Sequence, residues 1–203
     1  MSFSAVSGMA LGAAGLAAYY HKFSKGGLSG YPATAAGYLF NWTTIPFIAV
    51  ANTFMDSRQP SQIDDNVIVG PQPSFWDVPH LVELGIGAVV NMCEEYSGPI
   101  ETYKQHSIVQ LRLPTTDHNE PSLENINEAI KFIEEQIKIG HKVFVHCRAG
   151  RGRSGAIAFC WLAKNNPNMT AFDIQNMLLD RRPGVRKTLY QQPNCIAYLK
   201  QFK

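Results

Sequence analysis

Charge is nearly missing from the first quarter of the chain. Lys22 and Lys25 are the only Lys, Arg, Asp or Glu in residues 1–55, although the 203 residues carry 18 Lys and Arg and 16 Asp and Glu. Cysteine is scarce too. Cys93, Cys147, Cys160 and Cys195 form no Cys-x-x-Cys pair, so neither a zinc ribbon nor a disulfide-stapled small domain is supported, and reduced thiols are the default. No long Lys/Arg run occurs and the net charge is only +2, which argues against nucleic acid as the main partner, because that binding needs many phosphate contacts. Ser2 stands where myristoylation requires glycine. No basic stretch precedes the first apolar run, so a secretory signal is the weakest targeting assignment. Gly150 and Gly155 have the spacing of a nucleotide P-loop, but Ala156-Ile157 follow where Lys and Ser/Thr are required, so ATP or GTP binding is not indicated.

What fills residues 1–55 is apolar. Residues 3–20 are built largely of Ala and Gly, and residues 31–55 form a second uncharged stretch after the turn-like GGLSG at 26–30. Both approach the ~20 residues that cross a bilayer as a helix, yet Ser4, Ser7 and three glycines weaken the first, and Asn41, Thr43, Thr44 and Pro46 the second. Trp42 and the tyrosines at 19, 20, 31 and 38 suit a membrane interface. Three readings compete for this extension, expected to be helical: a membrane hairpin or shallow anchor, a targeting segment, and an apolar arm packed on the domain. The absence of acidic residues before Asp56 suits mitochondrial import, and the absence of Arg before Arg58 does not. Residues 56–203 have the size of one globular domain.

In that domain, short β-branched runs alternate with amphipathic helices, which predicts an α/β fold with a central, mostly parallel sheet flanked by helices. Strands are expected at 66–70, 87–93, 108–114 and 142–147. Leu123, Ile126, Ile130, Ile133 and Ile137 repeat at helical spacing and predict a helix over about 121–139, stopped by Gly140. Thr170 and Asp173 suggest a capping-box variant for a helix with Ala171, Ile174 and Leu178 facing inward, ended by Pro183-Gly184.

The chemistry is concentrated in VFVHCRAGRGRSG, residues 143–155: a strand, a Cys-x5-Arg loop, then the apolar helix AIAFCWLA. A tight glycine-containing loop at a helix N-terminus directs backbone N–H groups into one concavity, where the helix dipole also favours an anion. Arg148, Ala149, Gly150, Arg151, Gly152 and Arg153 form this phosphate cradle, and the planar Arg153 guanidinium can grip two oxygens at once. Cys147 lies at its floor. The groups that hold phosphate also favour the thiolate, which is the nucleophilic form. His146 and Ser154 are placed to tune and orient the sulfur.

HCRAGRGRS resembles the HCxxGxxR[ST] signature of the cysteine-dependent protein tyrosine and dual-specificity phosphatase superfamily, over roughly residues 62–203. The resemblance implies a dual-specificity-phosphatase-like sheet and two-step hydrolysis of a phosphomonoester through a phosphocysteine on Cys147. Arg153 and the loop amides would stabilise the phosphoryl group, with no cofactor and no metal. It also implies an upstream acid, and Asp117 in LPTTDHNEPS, 30 residues before Cys147, matches it; Asp117, His118 and Asn119 could instead be ordinary loop residues.

NMCEEY at 91–96, IDDNVIVGPQP at 63–73 and the catalytic loop resemble the mitochondrial phosphatases of phosphatidylglycerophosphate, a cardiolipin precursor. TDHN at 116–119 and AGRGRSG resemble the phosphatase and tensin homologue, which acts on phosphoinositides. These resemblances imply an anionic phospholipid substrate and a mitochondrial inner-membrane location, with residues 1–55 holding the site at the bilayer. The alternatives are a phosphoinositide or phosphoprotein substrate and an endomembrane or cytoplasmic location. Arg148 and Arg151 suit a multiply charged headgroup, or point at structural carboxylates or solvent. Glu94, Glu95 and Tyr96 shape the pocket rim or simply end a strand. The second resemblance further implies a reversible disulfide between Cys93 and Cys147, against a buried bystander thiol; Cys160 and Cys195 read as packing.

Overall fold

The computed structural model describes residues 59–201. The competing readings of residues 1–55, and the first residues of the 56–203 domain, lie outside the described residues. The four expected strands are present as β2 (Val67–Pro71), β3 (Ile86–Cys93), β4 (Val109–Thr115) and β5 (Lys142–Cys147). A two-residue strand, β1 (Ser61–Gln62), precedes them. The sheet order is β1-β2-β5-β3-β4, with β1 antiparallel to β2 and every other pair parallel. Parallel neighbours require crossovers, so the C-terminal ends of β2, β3, β4 and β5 and the loops after them share one edge.

Period-two alternation divides the strand residues between two cores. Val67, Val69, Val90, Val143 and Val145 face one side, and Ile68, Val89 and Phe144 face the other. The first core is covered by α3 (Leu123–Lys138) and α4 (Arg153–Asn165), through Ile126, Ile130 and Ile133 from α3 and Ile157 and Phe159 from α4. The second is covered by α1 (Val78–Glu83) and α2 (Ile100–Gln105), through Val78, Leu81 and Tyr103. Helix α4 is buried continuously from Arg153 to Leu162, as a central helix must be.

Local chemistry sets the helix ends. Ser122 Oγ accepts from the Asn125 N–H to start α3, and Gly140, at φ +88°, allows the chain to turn out of it. The α3 stripe is buried at Ile126, Ile130 and Ile133 and only partly so at Leu123 and Ile137, near its ends. Thr170 caps α5 (Ala171–Arg181), its Oγ1 accepting from the Asp173 N–H and donating to Asp173 Oδ2. Ile174 and Leu178 face inward as expected, but Gln175 is buried where Ala171 is only partly so. Its amide accepts from the Leu189 N–H and donates to the Arg186 carbonyl. After a 3-10 turn at Leu189–Gln191, α6 (Pro193–Leu199) closes the domain. Among the described residues no helix is long and apolar enough to cross a membrane.

Candidate active site

Cys147 is the last residue of β5, a central strand between β2 and β3. The chain then turns through Arg148–Gly152 into α4, which begins at Arg153, three residues before the apolar run that marks it in sequence. Arg153 and Ser154 therefore belong to the first helical turn, beside the unsatisfied N–H groups and the positive end of the dipole. Ser154 Oγ donates to Cys147 Sγ at 3.3 Å. Burial opposes ionisation of Cys147, but the Arg153 guanidinium and the Ser154 hydroxyl and N–H outweigh it and hold the thiol below its ordinary value. Cys93, at the end of β3, has no such compensation: burial dominates and pushes its thiol well up. Two buried cysteines on neighbouring strands thus have their thiols shifted in opposite directions.

Glycine is required at the loop's tightest point. Gly150 has φ +66°, and a Cβ there would lie 2.5 Å from the backbone carbon of Gly70. Beneath it runs Arg182, buried, whose Nε donates to the Gly150 carbonyl at 2.6 Å while its terminal nitrogen donates to the Gln59 carbonyl and Ser61 Oγ. Arg186 braces the opposite flank, its N–H donating to the Arg151 carbonyl and its guanidinium to the His118 carbonyl. Arg186 so ties the loop bearing Asp117 to the loop bearing the nucleophile.

Arg153 is 2% exposed. Its terminal nitrogens donate to both Glu95 oxygens at 2.7 and 2.8 Å, to the Thr115 carbonyl at 2.8 Å, and meet Asp117 Oδ1 at 2.9 Å. Burial disfavours the Asp117 carboxylate, yet Arg153, His118 and Arg148 hold it below the usual range. His118, at φ +69°, lies in the turn closed by the Asn119 N–H to the Thr116 carbonyl. Arg148 is largely buried, close enough to favour the Asp117 anion, rather than directed to solvent. His146 is fully buried with its ring 5.7 Å from Phe144; burial keeps it neutral by pulling its pKa down to about 3.

Residues 67–201 match the dual specificity phosphatase catalytic domain. The chain belongs to that family. A phosphatidylglycerophosphate phosphatase of Arabidopsis thaliana, PTPMT1, is 32% identical over 161 residues, covering 77% of this chain and 48% of the plant protein. The Homo sapiens phosphatidylglycerophosphatase and protein-tyrosine phosphatase 1 is also 32% identical, over 70% of this chain and 71% of its own. The chain thus spans about half the length of the plant relative. A crystal structure of PTPMT1 in complex with PI(5)P superposes with TM-score 0.60 at 26% identity, covering 70% of this chain and 93% of that one.

In this dual-specificity domain the sequence-selected Cys147, Arg148–Gly152, Arg153, Ser154, His146 and Asp117 converge at one sheet edge, with Cys93 beside them. Three contributors, Glu95, Arg182 and Arg186, lie outside that set. In sequence Glu95 is a rim residue or the end of a strand, and in the structure it is the bidentate partner of Arg153. Its loop is braced by Asn91 Nδ2 to the Tyr96 carbonyl, by Arg112 to the Cys93 and Glu94 carbonyls, and by the Tyr96 hydroxyl to the Pro73 carbonyl. A carboxylate pair directly after the strand beside the cysteine strand was the available signal. Arg182 and Arg186 had none: a distant arginine shows its role only once the chain is folded.

Proposed function

We propose that the chain hydrolyses a phosphomonoester on a membrane phospholipid, of the phosphatidylglycerophosphate type, through a phosphocysteine on Cys147. The observation that carries the chemistry is Cys147 at the end of β5, its sulfur accepting from Ser154 Oγ at 3.3 Å at the N-terminus of α4, where Arg153 stands. The Cys147 thiolate attacks phosphorus as the ester P–O bond breaks, and Asp117 gives its proton to the departing alcohol. Water then attacks the phosphocysteine, Asp117 takes up a proton, and the S–P bond breaks to release inorganic phosphate. The two steps balance without an external reagent.

Asp117 is ionised while it pairs with Arg153, and an acid must be protonated. The arriving phosphate resolves this conflict. A dianion on Arg153 displaces Asp117 from its cation and places negative charge beside it, and both changes raise a carboxyl pKa. The substrate thereby loads its own general acid.

The phospholipid reading is supported by the names of the two relatives and by the cationic Arg148, Arg151 and Arg153 in one loop. A phosphoinositide is the second reading, favoured by the PI(5)P-bound neighbour. A mitochondrial inner-membrane address accompanies the first reading, with residues 1–55 as its tether. The test compares phosphatidylglycerophosphate, phosphoinositides and phosphopeptides, with Cys147→Ser as the blank. Phosphatidylglycerophosphate is expected to be turned over fastest, and equal rates on peptides and lipids remove the lipid assignment.

A further inference from the structure

Among the described residues, the most solvent-exposed aromatic side chain, Trp76, lies next to a second exposed aromatic, Phe75. Phe75 is 52% and Trp76 78% exposed, and their rings lie 4.4 Å apart. They occupy the two central positions of a tight turn. The Asp77 carboxylate accepts from both the N–H and the hydroxyl of Ser74 at 2.7 Å, and the Asp77 N–H donates back to the Ser74 carbonyl at 3.1 Å. The polar ends are thus satisfied by each other, and Phe and Trp are held at the tip. Of the other large exposed apolar side chains, Val82, Val109, Ile139 and Ile196 are single residues, which any soluble surface tolerates, and Phe172 packs edge-on against the partly buried Tyr190 at 5.6 Å.

The position of this tip gives it a purpose. It follows β2, whose last residue, Pro71, pairs with Cys147, and the Gln72 N–H donates to the Arg148 carbonyl. A groove of about 720 Å³ opens behind it, with Phe75 on one wall and Tyr96 and Ile100 on the other, and Tyr96 adjoins the Glu95 that holds Arg153. Arg186 contacts the catalytic loop through its Arg151 hydrogen bond, and exposed Lys187 follows it. The aromatic tip and these cations therefore share the catalytic edge. Gln59, the first described residue, is held near the same loop by Arg182, the residue that holds Gly150. Exposed aromatic rings on the same edge as cations are the chemistry of an anionic bilayer surface.

We propose that the Ser74–Asp77 turn is a bilayer-docking element, with Phe75 and Trp76 entering the headgroup region of an anionic membrane and turning the catalytic edge toward it. Its purpose rests on the phospholipid reading, but its test does not require turnover. In full-length protein carrying Trp42→Phe, vesicles of phosphatidylcholine and phosphatidylglycerol with brominated acyl chains are expected to quench tryptophan fluorescence, because Trp161 is buried and Trp76 is not. Adding Trp76→Phe abolishes that quenching. Phe75→Ser with Trp76→Ser lowers turnover of vesicle-borne phosphatidylglycerophosphate about tenfold, equivalent to ~1.4 kcal/mol, and leaves p-nitrophenyl phosphate hydrolysis unchanged. Quenching that persists without Trp76, or no quenching at all, overturns the proposal, the latter being the result if the tip instead meets a protein or residues 1–55. Protein that is quenched by vesicles yet inert on the lipid refutes the substrate reading and leaves the docking element standing.

Discussion

Asp117 and Arg153 form an ion pair at 2.9 Å, made by the same guanidinium nitrogen that holds Glu95 at 2.7 Å. The candidate acid therefore occupies Arg153 before substrate does. Asp117→Asn removes a competing anion and an acid together. Inhibition by orthovanadate should strengthen by roughly fivefold, about 1 kcal/mol for a partly exposed pair, while kcat on a poor leaving group falls about a hundredfold. Vanadate inhibition that is unchanged shows that the ion pair does not persist in solution.

Glu95 determines whether a buried arginine is paired on its inner side. Glu95→Gln leaves the Arg153 cation with Asp117 and the Thr115 carbonyl. Urea unfolding should show a loss of about 3 kcal/mol, the low end for breaking a buried pair, together with a reduced kcat/KM. Wild-type stability in the variant means that solvent replaces the carboxylate.

The lowered Cys147 thiol has a pH signature. A depressed pKa means that the anion is favoured in the folded state, so its contribution to stability is present above the unfolded thiol value and is lost as pH falls through the folded one. Iodoacetamide should label Cys147 at a pH where Cys93, pushed up by burial, is inert. Ser154→Ala removes the 3.3 Å hydrogen bond and should move the labelling midpoint upward. A midpoint unmoved by that change assigns the shift to Arg153 and the helix alone.

Most of the site is legible before folding because its chemistry is local: the nucleophile, the cradle and Arg153 lie in seven consecutive residues, and the alternation of Val67 to Val69 or Val143 to Val145 marks both faces of a buried strand. The rest depends on long-range contacts. Glu95 meets Arg153 across 58 positions and Arg182 meets Gly150 across 32, and no periodicity announces either. Helices α1, α2 and α6 have only six or seven residues, too few turns for an apolar stripe to register. Helix α4 starts early because Arg153 and Ser154, polar by type, are buried by the site they form.

Cys93 and Cys147 end adjacent parallel strands. Under hydrogen peroxide the Cys147 thiolate is oxidised to a sulfenic acid, with hydroxide leaving; the Cys93 sulfur then displaces water to form the disulfide. The raised Cys93 thiol makes that second step slow. Mass spectrometry should find the linked peptide after mild peroxide, reversible by dithiothreitol and absent in Cys93→Ser. Only sulfenic and sulfinic forms of Cys147, with no linked peptide, contradict the pairing.

The most direct test of the central claim is rapid-quench mass spectrometry of the wild-type chain mixed with vesicle-borne phosphatidylglycerophosphate. During turnover, phosphate should appear on the peptide containing Cys147 as an S–P-linked phosphocysteine that is absent from Cys147→Ser. Phosphate on any other residue, or release of inorganic phosphate by Cys147→Ser, would contradict the mechanism.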